Sequence, residues 1–181
     1  MPRDKLSSHE RVLAAARAEF MEHGFERASM RRIGQRCGMT AAGLYRHCVD
    51  KAGLFSELVE PAARKLNDWL DARLRETGTF SAADMMRELI YPHMEDYRLL
   101  LTRSQGTKYE CFLHELVARR AQELPPSSPP LDNKALHLLM IAYMTALFEP
   151  VIGGYTEEEA VRCLEIAEEF FLPCWERLLH A

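Results

Sequence analysis

The side chains with the clearest chemistry lie between Ser29 and Lys51. Arg31, Arg32, Arg36 and Arg46 carry forked cations of the kind that pair with phosphate oxygens or with the outer edge of guanine. Ser29, Thr40, Tyr45 and His47 add hydrogen-bonding groups, and Lys51 adds a point charge. Ala41, Ala42 and Gly43 are small. A helix carrying them can lie close against a surface, and an alanine methyl can meet a thymine methyl. This is equipment for holding a polyanion and reading its edge. Nothing in the sequence matches a nucleophile elbow, a phosphate loop, a His-Glu-x-x-His zinc site or a paired-carboxylate site, so an enzyme is not indicated.

Two short helices and a tight turn would position these groups. Ile33 and Cys37 are four apart and share one face of the first helix, which opens at Ser29 and Met30. Gly38 stands where a left-handed residue ends a helix without steric cost. Thr40 is a good N-cap for a second helix, Ala41 to His47, whose Leu44 points inward. That is the layout of a helix-turn-helix, with the second helix destined for a major groove. Upstream, Ser7-x-x-Glu10 is a capping-box signature opening a helix with Val12, Leu13, Ala16 and Phe20 on one face. His23-Gly24 ends that helix, and Phe25 can fold back on the core. Asp50 is a plausible N-cap for a fourth helix.

The run from Arg11 to Phe55 is similar to the DNA-binding domain of the TetR (tetracycline-repressor) family of transcriptional regulators. The matching residues are Ala16, Phe20, Gly24, Phe25, Ser29, Ile33, Gly38, Thr40, Leu44, Tyr45, Arg46, His47, Asp50, Lys51, Leu54 and Phe55. The chain departs from the family pattern at Cys48, Ala28, Gly34 and Gly53, where Phe, Thr, Ala and an acidic residue are common. The resemblance implies an all-α fold of about nine helices. A three-helix DNA-binding domain, 1–52, would precede an effector-binding and dimerisation domain, 53–181. It also implies that Thr40 and the amides opening the second helix, Lys51, Tyr45 and His47 meet the DNA backbone.

Charge supports the division. The chain has a net charge of −4, yet residues 1–55 hold 10 Lys+Arg against 6 Asp+Glu and the remainder is acidic. The positive charge is thus concentrated where phosphates would be met. No apolar run approaches the ~18 residues of a membrane span, and the polar N-terminus lacks the apolar core of a signal peptide, so the expected location is cytoplasmic, with no membrane partner. The 5 cysteines lack any Cys-x-x-Cys spacing, and no cofactor is implied. Cys37 and Cys48 flank the second helix of the motif and read either as small hydrophobes or as a redox pair. Glu110, Cys111 and His114 share one helical turn, but ligands from a single helix do not close a metal site.

Beyond residue 50 the apolar spacing predicts helices over about 51–76, from 81 to a break at Pro92, 93–104, 107–123, 131–152 and 157–179. Pro61 should bend the first of these and Pro173 the last. Leu124–Pro130 is a proline-rich loop. Residues 131–152 are apolar almost all round and should be buried on more than one side. Val161, Leu164, Ala167, Phe171, Trp175 and Leu178 form a stripe on the last helix. Two final helices with more apolar surface than one core needs point to a homodimer through them. The resemblance further implies an effector pocket among the later helices, with Trp69, Met86, Ile90, His93, Met94, Tyr97, Tyr109, Phe112, Tyr143 and Phe148 as candidates. Their aromatic and methionine content suits a small, mainly hydrophobic molecule. The expected function is a homodimeric repressor released from a palindromic double-stranded DNA operator by such an effector. The rival reading is a helical adaptor that has lost DNA, and the retained basic charge counts against it.

Overall fold

The computed structural model describes residues 7–77, 80–123 and 132–180, and every element among them is helical. The elements are α1 (Ser8–Arg27), α2 (Met30–Cys37), α3 (Ala41–Leu44), α4 (Lys51–Thr77), α5 (Ala82–Met85), α6 (Met94–Thr102), α7 (Phe112–Glu123), α8 (Asn133–Gly153) and α9 (Glu157–His180). They fall into two compact units. The first runs to Leu66 and adds Glu95–Glu110; the second holds Asn67–Met94 and the chain from Cys111 onward.

In the first unit the local signals act as their chemistry requires. Ser7 and Glu10 form the reciprocal capping box of α1. That helix breaks at Gly24 (φ 72, ψ 166), and Phe25 turns back to stack on Phe20 at 6.0 Å and meet Phe55 edge-on at 5.4 Å. Phe20 and Phe55 are themselves edge-to-face at 5.1 Å, and both are fully buried with Val12, Ile33, Leu44 and Leu54. Aromatic triads of this geometry contribute roughly 0.5–1.5 kcal/mol per pair beyond area burial. Residues 95–110 belong here too. Tyr97, fully buried, donates its hydroxyl to the carbonyl of Ala62 at 3.1 Å, and Tyr109 donates to Glu60 at 2.8 Å.

The second unit is assembled from α5, α7, α8, α9 and the end of α4. Its core includes Leu70, Met85, Met86, Ile90, Leu116, Val117, Leu147, Phe148, Val151, Ala160 and Leu164. Ser81 and Thr156 cap α5 and α9 as their sequences suggest. Trp69, Phe80, Tyr143 and Phe171 form a run of ring contacts 5.1–6.5 Å apart.

Several expectations are corrected. α6 begins at Met94, just past Pro92 as expected, but the interruption ahead of it is not an open break. The helix widens to i→i+5 bonding over Met86–Ile90 and tightens to a 3₁₀ turn over Tyr91–His93 before α6, which accommodates a residue with no N–H. α7 starts at Phe112, not at 107. Ahead of it Gly106 is left-handed (φ 80), and the Thr107 hydroxyl accepts from Tyr109 N–H at 3.0 Å, competing with a helical start. α8 is less buried than its composition implies: Leu138 is 65% exposed, and Leu139 and Ile152 are also exposed. It is also long and apolar enough to cross a membrane by length and composition, against the expectation that no such run exists. Lys134 and Glu149 interrupt it, and it packs with α7 and α9. Pro61 and Pro173 lie inside α4 and α9, where the expected spans placed them. The 124–130 loop and the side chains of Trp175 and Leu178 lie outside the described residues.

Candidate nucleic-acid interface

Each residue expected to touch DNA sits on or beside α2, α3 or the start of α4. Gly38 closes α2 in the left-handed region (φ 70, ψ 31), where a Cβ would be strained. Thr40 caps α3 by accepting from Gly43 N–H at 3.2 Å, and its hydroxyl proton is still free to donate outward. α3 is a single turn, Ala41–Leu44; the chain then continues as i→i+3 turns, with Arg46 N–H bonded to the Gly43 carbonyl and His47 N–H to that of Leu44. The expected helix to His47 is therefore shorter and tighter at its end. Leu44 is fully buried and pins the turn, while Tyr45 is 54% exposed. Thr40, Ala42 and Arg46 are exposed, and Gly43 is half-buried. His47 is half-buried, its ring 6.2 Å from that of His9, and His9 bonds Glu57 at 2.5 Å. Ser29 and Met30 are half-buried, and Ser29 makes no capping bond with its side chain. Val49, which no sequence pattern singles out, is exposed beside the same turn.

The cations divide into two groups. Arg31 and Arg46 make no side-chain pair among the described residues, and both are exposed. The others are committed. Arg11 donates to the Cys37 carbonyl at 2.6 Å, closing the end of α2. Arg32 donates to Glu19 at 2.6 Å and to the Arg27 carbonyl at 2.5 Å. Arg36 bonds Glu19 at 3.3 Å and also pairs with Glu22. Lys51 donates to the carbonyls of Phe25, Glu26 and Ala28 at 2.8, 3.1 and 3.2 Å, with its ammonium 4.4 Å from the centre of the Phe25 ring. An ammonium has three N–H groups, and all three are used here.

Glu19 is the residue that sequence reading passed over. It is fully buried on α1 and accepts from Ser29 N–H at 3.0 Å as well as from the two arginines. Burial pushes its carboxyl up, but the Ser29 amide and the Arg32 guanidinium outweigh this and hold it below its ordinary value. Part of the signal was present: Glu19 falls on the apolar spacing of α1 with Val12, Ala16 and Phe20, but its arginine partners on α2 are brought to it only by the fold.

The cysteines flanking the motif are both free thiols. Cys37 is buried with its sulfur 3.4 Å from the Gly34 carbonyl. Burial, with Asp50 and Glu57 nearby, raises the Cys48 thiol, the opposite of what a reactive thiolate needs.

The expected effector residues are divided between the two units. Tyr97 and Tyr109 belong to the first unit, and their hydroxyls are satisfied there. Trp69, Met86, Ile90, His93, Met94, Phe112, Tyr143 and Phe148 belong to the second. Of these, Met86, Ile90 and Phe148 are fully buried, while Trp69 bonds Glu88 at 3.1 Å through its indole N–H. Glu110, Cys111 and His114 do not converge: Glu110 accepts from Gly106 N–H at 3.0 Å, and His114 stacks on His137 at 5.9 Å.

Comparison with known proteins agrees with this geometry. Residues 12–58 match the profile of bacterial regulatory proteins of the tetR family. The chain is 30% identical over 175 residues to the HTH-type transcriptional repressor AcnR of Corynebacterium diphtheriae, covering 87% of this chain and 88% of that one. It is 27% identical over 172 residues to AcnR of Corynebacterium efficiens, covering 90% and 92%. Among solved structures, a TetR-family transcriptional regulator from Mesorhizobium loti superposes with a TM-score of 0.51 at 20% identity, over 92% of this chain and 96% of that one. A transcriptional regulator from Streptomyces coelicolor gives 0.50 at 20% identity, over 91% and 98%. A helix-turn-helix built as described, at the head of an all-helical chain related along most of its length to such proteins, leads to one conclusion: this protein belongs to the TetR family of transcriptional regulators, which are not enzymes.

Proposed function

We propose that the protein is a cytoplasmic, homodimeric repressor that binds a palindromic operator and is released by a small, mainly hydrophobic effector. The observation that carries the DNA reading is that Thr40, Ala42, Tyr45, Arg46 and Arg31 are exposed on or beside α2 and α3, and that Arg31 and Arg46 are unpaired among the described residues while Arg32, Arg36 and Lys51 are used internally. Thr40 and Tyr45 have hydroxyls to offer to phosphate. Ala42 and Gly43 let α3 sit close to the base edges. The Corynebacterium relatives are transcriptional repressors, and that likeness supports repression as the role of this chain.

Dimerisation is supported by apolar surface left uncovered on α8 and α9. Ile166 is 64% and Phe170 71% exposed, in addition to Leu138, Leu139 and Ile152. Such a concentration of large apolar side chains on two neighbouring helices marks an association surface. A two-fold assembly presents two recognition elements to two half-sites. The effector reading rests on the buried methionine and aromatic content of the second unit. An effector releases DNA only if it binds the two states of the dimer with different affinity.

The test uses duplex DNA spanning the region upstream of the protein's own gene. Titration should give a retarded complex that competitor of random sequence does not remove, containing two protomers by sedimentation. Binding equal to that of random duplex at all salt concentrations would remove the operator reading.

A further inference from the structure

Arg32 and Arg36 lie four apart on α2 and share one buried acid. Arg32 is held at both ends, by Glu19 through Nε and by the Arg27 carbonyl through Nη2. Arg36 lies between Glu19 and Glu22. Glu19 has a side-chain exposure of 0%, whereas the arginines retain 43% and 36%. The asymmetry matters. An exposed arginine leaving a surface acid costs little, but leaving Glu19 would strand a buried carboxylate. A phosphate offered to Arg32 or Arg36 must therefore compete with a preorganised anion that cannot follow. Arg31, on the same helix, faces no such competitor, and neither does Arg46 among the described residues.

We infer that Glu19 and Glu22 act as an internal counter-charge that withholds Arg32 and Arg36 from nucleic acid and leaves Arg31 and Arg46 to meet it. The inference rests on the DNA-binding reading above and refines it. Its consequence is selectivity. Non-specific affinity comes from the number of phosphates neutralised, and base contacts carry the sequence information. Spending two cations inside the domain lowers the first term without touching the second. Glu19 and Glu22 are thus positioning residues that act through the arginines.

The experiment measures binding by fluorescence anisotropy against salt, with a random-sequence duplex and with a duplex obtained by selection. Arg31→Gln and Arg46→Gln should each reduce the slope of log K on log salt by about 0.9 per bound protomer. Arg36→Gln should leave the slope at the wild-type value. Nor should the double variant Glu19→Gln/Arg32→Gln, which removes the pair without changing the net charge, reduce the slope. Glu22→Gln, a change at an exposed residue, should steepen the slope by up to about 0.9 and narrow the ratio of selected to random affinity. A reduced slope in Arg36→Gln or in the double variant would overturn the inference, as would Glu22→Gln with slope and ratio both unchanged. A wild-type chain that binds neither duplex would instead defeat the DNA reading on which the inference stands.

Discussion

At the scale of single residues, the same side-chain type does different work depending on what lies within hydrogen-bonding reach. Tyr45 projects into solvent beside Arg46, so Tyr45→Ala should lower operator affinity by about tenfold, the worth of one hydrogen bond to a charged group. A folded variant with wild-type affinity, judged by circular dichroism and anisotropy, would remove Tyr45 from the interface. Lys51 was expected to meet phosphate, yet its three N–H groups are satisfied by the carbonyls at the end of α1. Lys51→Ala should therefore cost about 1–2 kcal/mol of stability in urea denaturation and leave the salt slope of binding unchanged. A slope reduced by about one unit, with stability intact, would return Lys51 to the phosphate contacts. The presence of Tyr45, Arg46, Thr40 and Lys51 could be read from residue types and spacing. The commitment of Arg32, Arg36 and Lys51 could not, because a cation's partners come from other helices.

At the scale of elements, α2 is fixed at both ends by chemistry outside itself. Its entry is held by Glu19, which accepts from Ser29 N–H, and its exit by the left-handed Gly38 and by Arg11 on the Cys37 carbonyl. Gly38→Ala should destabilise the first unit by roughly 1–2 kcal/mol, because a Cβ is penalised at that φ. The denaturation midpoint would register the loss. Glu19 gives the unit a pH dependence of known sign. Its carboxyl lies below its unfolded value near 4.5, so its contribution is complete above that pH and is lost as pH falls through the lower, folded value. Glu19→Gln should flatten the acid limb of the stability–pH curve; an unaltered limb would mean the carboxylate is not coupled to folding. Helix caps were legible in sequence because Ser7, Thr40, Asp50, Ser81 and Thr156 bond backbone groups within three residues. The course through Pro92 and the late start of α7 were not. There the chain had alternatives, a widened helix and a hydroxyl-stabilised turn, that are decided by packing.

At the scale of the whole molecule, the exposed apolar side chains of α8 and α9 are the strongest departure from what one chain needs for itself. Phe170→Glu, placed at the most exposed of the large apolar positions of α9 among the described residues, should convert the proposed dimer to a monomer in sedimentation. Operator affinity should fall at least tenfold with it, because one recognition element can no longer recruit the second. A dimer of unchanged stability in that variant would move the interface elsewhere. Charge distribution acts at this scale as well. The basic head and acidic body differ in sign, and that difference favours one orientation on a polyanion.

The sequence by itself determined roughly where most helices run, where the helix-turn-helix lies and which residues cap it. These follow from periodicity and from bonds between near neighbours, and both are properties of a linear string. Only the tertiary structure decided that Glu19 is buried between two arginines, that Lys51 closes the end of α1, and that residues 95–110 pack with the first unit. It also decided that much of the apolar surface of α8 stays uncovered. Each of these depends on which helix faces are brought together. Periodicity fixes a face but not its partner, and a charged side chain is spent or free according to that partner.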